Sequence, residues 1–72
     1  MKYPTDYKYN VLVEIRKDAL ITNQSIGQCD NALDIIALIK KSSIGRVNAY
    51  GYKTYTIVNQ QDNSIRVITK QA

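Results

Sequence analysis

The feature that most constrains this fold is a strongly apolar, amphipathic segment in the middle of the chain. Between positions 31 and 43, apolar residues recur at the spacing that places them on one side of an α-helix. They are Ala32, Leu33, Ile35, Ile36 and Ile39. The remaining polar stripe is narrow, with Asp34 and Lys41 at its centre. A helix with so broad an apolar face needs a sheet to pack against.

Residues at both ends of this segment favour a helix over residues 31–43. Asp30 is predicted to cap the N-terminus, because its carboxylate can accept hydrogen bonds from the free N–H groups of the first turn. Acidic residues near the start and lysines near the end match the helix dipole. Gly45 is predicted to terminate the helix in the left-handed conformation.

The segment before the helix alternates between apolar and polar residues. This period of two over residues 7–17 predicts a strand with one buried face. A turn at Lys17-Asp18 is expected to lead into a short second strand over residues 19–24. Residues 25–29 are then interpreted as a connector to the helix.

Three further strands are predicted after the helix. They cover residues 46–50, 52–59 and 64–70. Gly51 separates the first two, and the polar residues 60–63 predict the turn of a hairpin between the last two. The register of this hairpin stays open, since the two possible turn centres place Val58 opposite either Ile65 or Val67.

The summed pattern predicts one α+β domain over residues 1–72, with a single helix packed on an antiparallel sheet of four to five strands. In chain order the elements are a strand, a short strand, the helix, and two or three strands. The first and last strands are expected at the sheet edges. Their unpaired backbone groups there would favour a homodimer or a strand-to-strand contact with a partner.

The composition argues against catalysis and against a bound metal or cofactor. The chain has no histidine, and its six acidic residues are scattered over turns and the helix surface. The single cysteine, Cys29, precedes the helix, whose dipole could lower its pKa. Because it lacks a neighbouring base, a structural thiol is the expected role. The three glycines stand apart and form no phosphate-binding loop, so we predict a non-enzyme without a cofactor.

The sequence also predicts where the protein is found. No apolar run approaches the roughly 20 residues that cross a bilayer, and residues 1–6 lack the apolar core of a signal peptide. A cytoplasmic protein without a membrane partner is therefore expected. A reduced Cys29 fits this location.

Basic charge and tyrosines are the features that point to a partner. The net charge is +4 and the pI is about 9.3, which favours contact with phosphates or acidic proteins, although solubility alone also explains it. The chain has six tyrosines but neither tryptophan nor phenylalanine. Near the bend at Gly51, three tyrosines alternate with two cations: Arg46, Tyr50, Tyr52, Lys53 and Tyr55. Such a mixture can stack on bases and pair with phosphates, or anchor a protein interface.

Four more cations complete the candidate surface. Lys8 and Arg16 share one parity in the first strand, and Arg66 and Lys70 share one parity in the last. If strand order and register bring them together, they form one basic surface on the open face of the sheet. Otherwise they are solvated surface charges.

The layout resembles that of small phage-encoded anti-CRISPR proteins, of which one type is a five-stranded sheet around one helix. The segments that carry the resemblance are residues 9–22, 30–43 and 46–70. Such proteins act without catalysis, by binding a bacterial defence complex and obstructing its access to nucleic acid. The resemblance implies that a basic, tyrosine-rich surface is the working part.

Two functions are consistent with these patterns. The first is a non-catalytic protein-binding inhibitor or adaptor, which the small size, the exposed edge and the clustered tyrosines favour. The alternative is a small basic nucleic-acid-binding module, which the charge of +4 and the cations among the tyrosines favour.

Overall fold

The computed structural model describes residues 2–71 and contains one α-helix and one four-stranded antiparallel sheet. After a short 3₁₀ turn at Pro4–Asp6, the elements are β1 (Tyr9–Lys17), β2 (Leu20–Cys29), α1 (Ala32–Lys41), β3 (Tyr52–Asn59) and β4 (Ile65–Gln71). The strand order in the sheet is β2-β1-β3-β4. The predicted α+β class, with one helix and an antiparallel sheet, is confirmed.

Strand β1 lies in the middle of the sheet. It pairs with β2 on one side and with β3 on the other, so the prediction that the first strand is an edge is wrong. Its odd-numbered side chains face the helix, and among them Val11 and Val13 are fully buried. The edges are β2 and β4, which confirms an edge position for the last strand only.

Strand β2 is longer than predicted. A two-residue turn that includes Asp18, with φ of 57°, places Lys17 opposite Leu20. The strand then continues to Cys29, so residues 25–29 are not a connector. The register against β1 shifts by one residue at Ile26, so the strand contains a β-bulge there. The alternation of apolar and polar residues in the sequence does not indicate this bulge.

The helix begins at Ala32, one residue later than predicted. Asn31 is the N-cap, and its side-chain oxygen accepts the Asp34 N–H at 3.0 Å. The prediction that Asp30 caps the helix is wrong, because its carboxylate instead accepts the Lys8 backbone N–H at 2.9 Å and contacts the Lys2 ammonium. Asp30 therefore joins the N-terminal segment to the start of α1.

The helix packs on the sheet through a narrower face than predicted. Ile39 is buried, and Ile35 and Leu38 pack against the same core. Leu33 is 78% exposed and Ile36 is half exposed, although both belong to the predicted face. The face is rotated toward Leu38 because α1 packs mainly on β2 and β1, which leaves part of the β3 and β4 surface uncovered.

The chain leaves the helix earlier than predicted and returns to the sheet at Gly45. The Ser42 N–H bonds to the Leu38 and Ile39 carbonyls and ends α1, so Gly45 is not the helix terminator. Gly45 has φ of 129° and lies against Val13. The next residue, Arg46, donates its backbone N–H to the Glu14 carbonyl at 2.6 Å. The predicted strand over residues 46–50 is reduced to one bridge, between Val47 and Lys53.

The final hairpin adopts one of the two registers that the sequence leaves open. Val58 lies opposite Ile65, and the pairing of β3 with β4 runs without interruption from there. The Asn59 N–H donates to the Ser64 carbonyl at 2.9 Å, and Asn63 takes the left-handed conformation with φ of 61°.

The core lies between α1 and one face of the sheet. Its buried members are Val11, Val13, Cys29, Ile39, Tyr55 and Ile57. Directly opposite residues on neighbouring strands share a face, so the registers assign every strand residue either to this helix-side face or to the open face behind it. Within residues 2–71, α1 falls short of the length and apolar character needed to cross a membrane.

Candidate functional site

The turn between Val47 and Lys53 exposes a tyrosine at its tip. The Asn48 side-chain oxygen accepts the backbone N–H groups of Tyr50 at 2.9 Å and Tyr52 at 3.1 Å, while Gly51 supplies the positive φ that the turn needs. The Tyr50 side chain is 85% exposed. The local sequence therefore builds a rigid turn that presents one aromatic ring to solvent.

The three predicted contact tyrosines lie in different environments. Tyr52 is 40% exposed on the open face, whereas Tyr55 is only 2% exposed and belongs to the core. The separation of three residues puts them on opposite faces of β3. Tyr55 is therefore unavailable to a partner, and the accessible aromatic residues near Gly51 are Tyr50 and Tyr52.

The two cations beside these tyrosines are partly occupied within the chain. The Arg46 guanidinium lies 3.8 Å from the Glu14 carboxylate, and both side chains are partly buried. Lys53 lies on the helix-side face, and its ammonium donates to the Ile44 carbonyl at 3.3 Å. Neither cation therefore projects freely beside Tyr50.

The four remaining cations of the prediction do not form one basic surface on the open face. Arg16 lies on that face, near the turn between β1 and β2. Arg66 lies opposite the buried Ile57 and Lys70 lies opposite Lys53, so both belong to the helix-side face. Lys8 precedes β1, and its ammonium lies 5.3 Å from the centre of the Tyr9 ring. The pairing of β1 with β3 and of β3 with β4 places Arg16 on the face opposite to that of Arg66 and Lys70.

Cations nevertheless collect at one end of the molecule. At this end the turn between β1 and β2, the Val47–Lys53 turn and the C-terminal part of β4 come together. We call it the basic end, and its cations are Arg16, Lys17, Arg46, Lys53 and Lys70. The acidic residues Glu14 and Asp18 lie there as well, whereas the other acidic residues belong to the opposite end. The basic end is thus a local excess of positive charge that spans both faces.

The outer side of β4 is a second surface, which the sequence interpretation did not single out. Ile65 and Val67 are 66% and 60% exposed on the open face. Because Asn59 donates to Ser64, the alternation of an antiparallel ladder directs the N–H groups of Ile65, Val67 and Thr69 away from β3. The sequence contains a signal for this surface, because β4 has aliphatic residues at both odd and even positions, and these cannot all face the core.

The open face continues this apolar surface inward from the edge. One rung across β1, β3 and β4 consists of Leu12, Thr56 and Val67, and the next consists of Asn10, Val58 and Ile65. The helix of residues 2–71 lies on the opposite face. The exposed aliphatic residues of β4 therefore form the border of a sheet face without a covering helix.

A groove lies between α1 and β4 on the helix-side face. Its volume is about 510 Å³. It is lined by Ile35 and Ile36 from the helix, by Ile57 and Ile68 from the sheet, and by Arg66 at one side. This groove exists because α1 lies over β2 and β1 rather than over the centre of the sheet.

The thiol of Cys29 is placed as a structural group. It is buried, and burial raises the pKa of the thiol above its ordinary value. Its Sγ lies 3.7 Å from the Asn31 carbonyl. Among residues 2–71, no three acidic or cysteine side chains lie close enough to hold a metal ion.

Comparison of the chain with protein-family models, with curated proteins and with solved structures found no match. No activity or partner is therefore carried over from a relative. The geometry of the edge strand and of the basic end is the basis for the proposals below.

Proposed function

We propose that this chain is a small non-catalytic protein-binding module, an inhibitor or adaptor, that pairs its edge strand β4 with an extended strand of its partner. The observation that carries the proposal is the exposure of Ile65 and Val67 beside outward-directed backbone groups. Exposed, regular, apolar edge strands are templates for pairing with another chain. Main-chain hydrogen bonds supply the affinity of such a contact, and alternate side chains supply its specificity.

The two edges of the sheet differ in their suitability for this contact. The pairing of β3 with β4 has no register shift, so β4 presents a regular ladder. The other edge, β2, contains the bulge at Ile26, and its exposed middle consists of Asn23, Gln24 and Ser25. A bulge interrupts the regular ladder that an added strand would continue, so β4 is the better docking strand.

A proline at position 67 tests strand addition. In Val67→Pro the lost N–H is one that β3 does not use, and proline is tolerated on edge strands for this reason. The matched control is Asn23→Pro, because the ladder also directs the Asn23 N–H outward on β2. Both variants are expected to keep the far-ultraviolet circular dichroism of the parent.

The assay selects binding peptides from a displayed library of random extended peptides, with each variant as bait. We expect the parent and Asn23→Pro to enrich the same peptides and Val67→Pro to lose them. Hydrogen exchange should then slow at the amides of Ile65, Val67 and Thr69 when an enriched peptide binds. Peptides that bind Val67→Pro as well as the parent would show that β4 is not the docking strand.

The resemblance to anti-CRISPR proteins adds a proposed class of partner, a bacterial defence complex. The edge strand supports it to the extent that such proteins act by binding and obstruction. Expression of the chain in bacteria with an active CRISPR system should restore phage plaques, and Val67→Pro should abolish that effect while Asn23→Pro retains it. Unchanged plaque counts with the parent chain would contradict this class of partner.

The basic end supports the second candidate, a nucleic-acid-binding module. The exposed Tyr50 lies at the same end of the sheet as Arg16, Lys17 and Lys70, and aromatic rings and cations on one surface bind single strands by stacking and charge. For Lys53→Ala with Lys70→Ala, the salt slope of single-strand binding should fall by about 0.7 per cation removed. The control pair Lys2→Ala with Lys8→Ala, at the opposite end, should leave the slope unchanged. An oligonucleotide that shows no binding even at low salt would refute this candidate.

A further inference from the structure

On the basis of the proposed function, we infer that the partner strand carries two acidic residues, four positions apart, that face Arg66 and Lys70, with aliphatic residues at the three positions between them. The inference deepens the proposed function, because it assigns the chemistry of the strand that pairs with β4. It rests on the different character of the two faces of β4 and on a repulsive contact inside the sheet.

The open side of β4 is apolar and the helix side is cationic. Ile65, Val67 and Thr69 alternate along the open face, while Arg66 and Lys70 flank Ile68 on the helix-side face. A strand that pairs with β4 places its own side chains beside these residues, rung by rung. Aliphatic side chains therefore suit one face of the partner strand, and two acidic side chains on either side of an aliphatic one suit the other.

Like charges face each other at the end of this strand. Lys70 lies directly opposite Lys53 across β3 and β4, and like charges in this position destabilise a sheet. Among residues 2–71, neither Arg66 nor Lys70 forms an ion pair. An acidic side chain on the other side of Lys70 would offset this repulsion, which is charge complementarity that the chain itself does not supply.

A second copy of the chain fits this edge less well. If two β4 strands paired antiparallel about Ile68, Arg66 of each would lie opposite Lys70 of the other. Pairing about Val67 avoids that contact but still brings the cations of both copies onto one face. Each chain also carries a net charge of +4, so an acidic strand is favoured over a second copy.

The pattern of the partner strand follows from the spacing of the cations. A residue opposite Ile68 has neighbours two positions away on either side that face Arg66 and Lys70. The core Glu-Val-Leu-Val-Glu has this pattern, and it reads the same in both directions, so it applies to parallel and antiparallel addition. Leucine at its centre lies beside Ile68, which lines the groove below α1.

The test compares two short fluorescent peptides that carry the core Glu-Val-Leu-Val-Glu or Gln-Val-Leu-Val-Gln between neutral polar flanks. Fluorescence anisotropy should show about 2- to 30-fold tighter binding of the glutamate peptide, because exposed ion pairs contribute about 0.2–1 kcal/mol each. The preference should shrink as sodium chloride is added. It should disappear in Arg66→Gln with Lys70→Gln and persist in the control Lys2→Gln with Lys8→Gln.

The outcomes separate this inference from the proposed function. Equal affinity of the two peptides, with binding still lost in Val67→Pro, would overturn the acidic pattern while strand addition stands. Absence of binding by both peptides would overturn the inferred pattern, and the displayed library then decides the proposed function independently. A dimer in sedimentation that Val67→Pro dissociates would also overturn the inference, because it would assign the edge to a second copy.

Discussion

Replacing Gly45 by alanine should destabilise the protein strongly, because two separate costs meet at this position. Gly45 has φ of 129°, a conformation that residues with a side chain adopt only with strain of about 1–3 kcal/mol. An alanine Cβ there would also lie 2.6 Å from Val13 Cγ2, where ordinary contacts are 3.4–4 Å. Val13 is fully buried, so its methyl group has little room to move.

The size of the effect follows from these two costs. Overpacking of a core position costs about 1–3 kcal/mol, so the sum with the strain is about 2–6 kcal/mol. A domain of this length has an unfolding free energy of about 4–11 kcal/mol. Gly45→Ala should therefore remove a large part of the stability and loosen the turn that presents Tyr50.

The matched control is Gly51→Ala, because Gly51 also has a positive φ, of 84°, but no atom lies within 4 Å of its Cβ position. This variant bears the strain without the steric contact. In thermal unfolding followed by circular dichroism, Gly45→Ala should melt about 4–24 °C below Gly51→Ala, which corresponds to the overpacking cost alone.

A double variant separates the steric part directly. In a Val13→Ala background the contacting methyl group is gone, so the further replacement of Gly45 should cost only its strain. Equal melting temperatures of Gly45→Ala and Gly51→Ala would refute the reasoning. They would mean that the return of the chain to β1 at Gly45 is not as tight as its contact with Val13 indicates.

Three other measurements test the helix start and the groups near it. Asn31→Ala should lower the unfolding free energy by about 1 kcal/mol in urea denaturation, since it removes the N-cap, and an unchanged midpoint would contradict that assignment. The Lys2 ammonium and the Lys8 N–H hold the pKa of the Asp30 carboxyl below its ordinary value. Its folded pKa is therefore below its unfolded pKa, and the stabilisation present above pH of about 4 should be lost as the pH falls further; Asp30→Asn should remove this part of the acid dependence. Burial raises the pKa of the Cys29 thiol, so iodoacetamide at mildly alkaline pH should modify the native chain more slowly than the urea-unfolded chain, and equal rates would show that the thiol is accessible.

The elements that depend on local patterns could be predicted from the sequence, and those that depend on long-range packing could not. The periodicity of the first strand and of the helix reflects which side chains a neighbouring layer covers, so both elements appear where the pattern predicts them. The central position of β1 requires the later strand β3 to pair beside it, and no local pattern encodes that choice. The bulge at Ile26 is likewise absent from the local pattern, and it lies next to Gly27, which packs closely against Leu38 of the helix.

The candidate surfaces show the same division. The sequence does indicate that Tyr52 and Tyr55 cannot both be exposed. They are three residues apart in one strand and therefore lie on opposite faces, and Tyr55 is the one on the face of the core. The same holds for Arg66 and Lys70, because either hairpin register places Val58 opposite an odd-numbered residue of β4 and so leaves both cations on the face of Tyr55 and Ile57. The sequence does not decide which residue caps the helix, since Asp30 and Asn31 are equally suitable residue types. In the structure the Asp30 carboxylate accepts the Lys8 N–H, and Asn31 accepts the Asp34 N–H as the cap.

The two edges of the sheet differ in how each would select a strand under the proposed function. On β2, the bulge and the polar middle weaken the edge for every partner alike. On β4, the ladder is regular and the aliphatic residues are exposed, so the edge is open, and only charge discriminates between partners. Under the proposed function, Arg66, Lys70 and the facing Lys53 would repel another copy and attract an acidic strand through the same residues. Neutralising these cations should therefore weaken binding of the acidic peptide and also increase self-association. If neither change occurred, the proposed dual role of these cations would be contradicted.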